Sequence, residues 1–271
     1  MSIFHQWHPM RFIEALKAID KEASENKKIV DYRKPAIVLF TMAICLLLIH
    51  YLKFSSTFQQ SVVLMFGKSA YVDLRGSLFF HLYSNAWWAA WHLIGYVLIP
   101  VFVIRVVLKE RLSDYGTGIG ATRQYFQYYV ALALPIVFFA FLVSFREDFA
   151  NHYPFYRFAS RSWADLLMWE CLYIVQFVAL EFFFRGFVLH ACKPQFGAAA
   201  IFVMMVPYLM IHFPKPWLEA TGAIPFGILL GVLALRSRSM WGGVGVHVTI
   251  ALSMDLLALL QSNRLPTRWW P

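Results

Sequence analysis

The chain has 271 residues, of which 60% are apolar or aromatic and only 14% are charged, with a mean hydropathy of +0.57. Soluble domains carry about 25% charged and about 45–50% apolar residues, so this composition excludes a soluble globular enzyme, a disordered chain and a disulfide scaffold. The net charge of +9 sits mostly in loops and the N-terminal segment, where basic residues set orientation and meet anionic lipid. No basic-aromatic module for nucleic acid accompanies it.

Residues 1–34 are polar and mixed in charge, and they lack the apolar centre of a cleavable signal peptide. Within them Phe12, Ile13, Leu16 and Ile19 recur at helical spacing, which predicts a surface amphipathic helix. Apolar runs long enough to cross a hydrocarbon core of about 30 Å follow at about 35–51, 87–107, 125–145, 166–189, 196–212, 218–235 and 241–260. A long aromatic connection to about Ala86 separates the first two, and Asp73 and Arg75 within it are too polar for lipid. The expected fold class is an all-α, polytopic transmembrane bundle of about seven spans. It divides into an N-terminal segment (1–34), N-terminal spans and loops (35–163) and C-terminal spans (164–262).

Seven Lys and Arg among the first 34 residues favour a cytoplasmic N-terminus, and the cytoplasmic membrane of a prokaryote is the expected location. Cys45, Cys171 and Cys192 have no CxxC spacing, and an odd count argues against a disulfide framework. Each reads as structural filler.

Ionisable residues inside spans are costly and usually face a bundle interior or a wet cavity. In Leu180-Glu-Phe-Phe-Phe-Arg-Gly186, Glu181 and Arg185 are four apart, so they share a helical face and can pair. The spacing alone leaves two readings, a structural ion pair or a carboxylate held beside a reaction centre. His212 ends the fifth apolar run, and His247 follows the small-residue run Gly242-Gly-Val-Gly-Val, with Asp255 further along that span. Small residues there permit close helix approach. The three insertions together predict one polar cavity lined by Glu181, His212 and His247. His5, His8, His50, His81 and His152 lie in polar or interfacial stretches and read as ordinary surface residues. Glu170 stands eleven residues before Glu181, about 16 Å along a helix, which places it outside that cavity.

Residues of about 165–260 resemble the CAAX protease and bacteriocin-processing family, also called the type II CAAX prenyl endopeptidase or abortive-infection family. The family pattern is Glu-Glu-x-x-x-Arg on one span, Phe-x-x-x-His on the next and His-x-x-x-Asn or Asp on a later one. Here these correspond to Leu180-Glu181-Phe-Phe-Phe-Arg185, Tyr208-Leu-Met-Ile-His212 and His247-Val-Thr-Ile-Ala251, with Phe226-Gly-Ile-Leu-Leu-Gly231 between. Leu112-Ser-Asp-Tyr-Gly116 loosely matches a short loop common in the family.

The resemblance implies an intramembrane glutamic-type endopeptidase acting on a membrane-associated peptide or protein, with no cofactor and no metal. The HExxH signature of zinc peptidases is absent. In the family the first Glu activates water with help from the His of the second motif, and the third motif stabilises the oxyanion. Two positions depart from the pattern: Leu180 stands where the first Glu is expected, and Ala251 where the Asn or Asp is expected. The implied catalytic set is therefore Glu181, His212 and His247, with Arg185 and Asp255 in support. The alternative is a non-catalytic membrane scaffold of the same fold that binds hydrophobic partner segments. A small proton-coupled transporter is a third reading, although no inverted repeat accompanies it.

Overall fold

The computed structural model describes residues 9–25, 32–215 and 217–271. Among these residues there is no strand. The helices are α1 (Pro9–Glu25), α2 (Arg33–Leu52), α3 (Ser55–Arg75), α4 (Phe80–Val107), α5 (Phe126–Val143), α6 (Glu147–His152), α7 (Trp163–Phe196), α8 (Ala199–Met210), α9 (Trp217–Ser237) and α10 (Trp241–Gln261).

Six of them, α2, α4, α5, α7, α9 and α10, are long and apolar enough to cross a bilayer, which makes the chain a multi-pass membrane protein. Of the seven expected spans the fifth, 196–212, is the exception. Its helix α8 has only 12 residues, a rise of about 18 Å against a core of about 30 Å. Gly197, with φ of +57°, breaks the chain before it, and a turn at 211–215 ends it. The aromatic connection after the first span also holds more order than expected. It contains α3, kinked at Gly67 (φ +86°), and α4 starts at Phe80 rather than Trp87.

The residues cluster into two compact units, each drawn from three stretches. The first comprises 1–44, 98–131 and 180–245. Here α8 packs on α9 through Gly227 and Gly231, one turn apart. A Cβ on Gly227 would lie 3.0 Å from the Tyr208 ring, and one on Gly231 3.0 Å from Ile201; small residues at such spacing let helices approach in lipid. Helix α1 docks on α7 and α9 in this unit with Ile19 and Ala23 buried, while Ile13 of the expected apolar face stays exposed. Three carboxylate contacts fix α1. Asp20 Oδ1 accepts from the Ala198 N–H at 2.7 Å, at the start of α8. Glu22 pairs with Lys193 at 2.9 Å and with Arg238 at 3.0 Å.

The second unit comprises 45–97, 132–179 and 246–271. Its core gathers Leu82, Tyr156, Ala159, Leu166, Trp169, Tyr173, Ala251 and Leu259. The start of α7 is set locally. Ser162 Oγ accepts from the Asp165 N–H at 3.1 Å and donates to the Asp165 carboxylate at 2.7 Å, a reciprocal N-terminal cap. Arg161 adds a two-pronged pair to the same carboxylate.

Candidate active site

Within the first unit, Glu181 closes the α-helical part of α7, and Phe182–Val188 follow as a π-turn. The wider turn is visible in the backbone, where the Leu189 N–H reaches back to Phe184 O. Such turns recur at functional sites because they redirect side chains without ending the helix. All seven residues of the turn are buried, and Glu181 and Arg185 have no solvent exposure.

Arg185 Nη1 lies 2.9 Å from Glu181 Oε1. A pair taken this far from water costs much of its Coulomb gain in desolvation, so its value lies in fixing position more than in stability. The guanidinium rests on the Tyr208 ring, 4.1 Å from the centroid, a favourable arrangement for a dehydrated cation. On the other side of the carboxylate stands Gly243 of α10, where a Cβ would overlap Glu181 Oε2. The preceding Gly242 lies against the Tyr129 ring in the same way, and the Tyr129 hydroxyl is 3.0 Å from Ser237 Oγ. Glu181 is thus flanked by Arg185 and a backbone glycine.

His212 stands in the turn just after α8. Its Nδ1 is 2.8 Å from Tyr208 O, and its ring centroid is 4.7 Å from that of Tyr208. A carbonyl only accepts, so Nδ1 carries a proton, and in the neutral ring Nε2 is the accepting nitrogen. Tyr208 therefore serves two polar residues at once, Arg185 through its ring and His212 through its carbonyl.

His247 belongs to the second unit. It is nearly buried, at 9% exposure, and stacks on Phe177 with centroids 5.5 Å apart. Asp255 is fully buried and accepts from Trp169 Nε1 at 2.8 Å; the Glu170 carboxyl meets it as well. Eight residues separate His247 from Asp255 on α10, about 12 Å along the axis. Ala251 between them packs in the apolar core of this unit.

His190 was not legible as a site residue from the sequence. Its Nδ1 is 2.6 Å from Arg185 O. The bond reaches a backbone carbonyl five residues back, one more than the four that separate His92 from Trp88 O and His212 from Tyr208 O, in keeping with the i to i+5 pattern of the π-turn. Among the described residues no group of three or more His, Cys, Asp or Glu could hold a metal ion.

Residues 161–253, about a third of the chain, match the family model described as type II CAAX prenyl endopeptidase Rce1-like. The matched stretch contains Glu181, Arg185, His212 and His247. No curated protein and no solved structure matches the chain.

Proposed function

We propose that the protein is an intramembrane endopeptidase in which Glu181 activates water against a peptide bond of a membrane-associated substrate. The observation that carries this reading is the fully buried Glu181 carboxylate, paired with Arg185 and set against Gly243 of α10. The match to a protease family over this same stretch supports it.

In the proposed reaction Glu181 takes a proton from water while the hydroxide oxygen bonds to the scissile carbonyl carbon. The carbonyl π electrons move to oxygen. Collapse of the tetrahedral intermediate breaks the C–N bond, and the proton on Glu181 passes to the departing nitrogen. His212, with Nε2 as acceptor, assists the first proton transfer. The family pattern gives the oxyanion role to the position of His247; loss of one such donor costs about 10²–10³-fold in comparable sites. Arg185 is permanently charged and so a poor proton carrier, and it holds the Glu181 carboxylate in one rotamer.

The test is cleavage of a quenched-fluorescent, farnesylated Cys-aliphatic-aliphatic-X peptide by the purified protein in liposomes. Glu181→Gln keeps the shape and removes the base, so cleavage falls by about 10³-fold or more, the scale of losing a proton-transfer group. Wild-type rate in that variant sinks the assignment. A second reading, a scaffold that binds apolar segments without cutting them, draws on Leu180 and Ala251, both buried apolar residues at two motif positions. It predicts retention of the peptide in the liposomes with no cleavage by either protein.

A further inference from the structure

His190 is the polar residue closest in sequence to the π-turn that the proposed chemistry leaves without a role. Its ring is tied at two points. Nδ1 lies 2.6 Å from the Arg185 carbonyl, inside the π-turn, and since a carbonyl only accepts, Nδ1 is the donor. The Nδ1–Cε1–Nε2 edge of the ring also lies against Gly116, where a Cβ would be 2.9 Å from His190 Cε1. Gly116 has φ of +68°, so glycine suits that position on both conformation and space.

Gly116 in turn belongs to a strap with two further attachments. Its carbonyl accepts from the Met240 N–H at 2.9 Å, and the Thr117 carbonyl accepts from Trp241 Nε1 at 2.8 Å. Met240 precedes and Trp241 opens α10, less than one turn before Gly243. On the other side the strap presses on the π-turn itself, where a Cβ on Gly186 would lie 2.9 Å from Tyr115 O. The contacts therefore close a ring within the first unit: Glu181 to Arg185, Arg185 O to His190, His190 to Gly116, Gly116 to Met240, and Gly243 back to Glu181.

We propose that His190 is a positioning residue: by holding the Arg185 carbonyl and backing the Gly116 strap, it sets the distance between the two walls that flank Glu181. The proposal rests on the reading of Glu181 as the water-activating base. A misplacement of about 1 Å in such a group costs about 10²-fold, and the loss falls on the chemical step rather than on substrate capture.

Two substitutions separate donor from bulk. Asn places an amide N–H near the Nδ1 position, whereas Leu keeps volume without a donor. In the farnesylated-peptide assay His190→Leu lowers kcat by about 10²-fold with KM little changed, and His190→Asn restores most of it. Wild-type kcat in a folded His190→Leu protein overturns the proposal, as does equal damage in both variants.

Two measurements need no activity. In 15N-histidine spectra of the wild-type protein, the signal missing from a folded His190 variant, Asn or Leu, belongs to a ring protonated on Nδ1; a ring protonated on Nε2 alone overturns the proposal. The infrared carboxylate band assigned to Glu181 by difference against Glu181→Gln shifts in His190→Leu and is retained in His190→Asn. If the wild-type protein shows no Glu181-dependent cleavage, the peptidase reading has failed, and these two measurements still decide whether His190 positions the pair.

Discussion

Gly243 gives the Glu181 carboxylate its room: a methyl group on that glycine would occupy the space of Oε2. The two residues come from different helices of the same unit, α10 and α7, so on this side the carboxylate meets backbone rather than a side chain. With Arg185 on the facing side, its position is fixed by an ion pair and by the absence of a Cβ.

Gly243→Ala should therefore act on the site and Gly245→Ala should not. The methyl group added at position 243 must displace either the carboxylate or α10, and overpacking of this kind costs about 1–3 kcal/mol. Gly245 has nothing within 4 Å of its Cβ position, so Ala there is neutral or adds up to about 1 kcal/mol through helix propensity. Thermal unfolding in micelles checks both. Equal midpoints for the two variants would contradict the packing.

Arg185→Ala strands Glu181 in an interior with no solvent exposure, and breaking one side of a buried pair costs about 3–5 kcal/mol. Arg185→Lys keeps the charge and loses the planar surface that lies on Tyr208. Its stability should fall between wild type and Arg185→Ala. A Lys variant as stable as wild type would show that charge alone is sufficient.

Tyr208→Phe keeps the aromatic face under the guanidinium and the backbone carbonyl that orients His212, but removes the buried hydroxyl that bonds to Arg185, so it should cost about 1–2 kcal/mol. Tyr208→Leu also removes the face and should cost about 1–2 kcal/mol more, the range for a desolvated cation on an aromatic ring. Comparison of the two variants by thermal unfolding isolates the ring contribution.

The docking of α1 should weaken in acid. The hydrogen bond from Lys193, with the charges of Lys193 and Arg238 behind it, holds Glu22 below the usual carboxylate range. A lowered folded-state pKa gives stability that is present above the unfolded value of about 4.3 and is lost as pH falls through the folded value. The protection factors of the α1 amides, corrected for the intrinsic pH dependence of exchange, should fall across that window as pH drops in the wild-type protein and stay flat in Glu22→Gln. Asp20→Ala should cost about 1 kcal/mol, since it removes the acceptor for the Ala198 N–H just before α8.

The sequence made some of this arrangement readable and hid the rest for physical reasons. Apolar run length identified the spans of α2, α5, α9 and α10, and four-residue spacing identified the Glu181–Arg185 pair. Run length failed at 196–212, because apolar composition does not reveal the turn that cuts α8 short. It failed again at α3, whose polar residues hide a helix that pairs with α4. His190 escaped for a different reason. Its partner is a backbone carbonyl five residues back, inside a π-turn, which no side-chain spacing encodes. Gly243 was legible as a small residue permitting close approach, but what approaches it is a carboxylate on another helix.

The contacts of α1 also set an order of events during biosynthesis. Asp20 waits for Ala198, 178 residues later, and Glu22 waits for Arg238, 216 residues later. At a translation rate of about 5–20 residues per second, the second interval lasts about 10–40 s. For most of it α1 has neither of its cationic partners, because Lys193 also lies far along the chain. Its attachment is a closing step of assembly, and a nascent chain released before Arg238 carries α1 without its complete anchor.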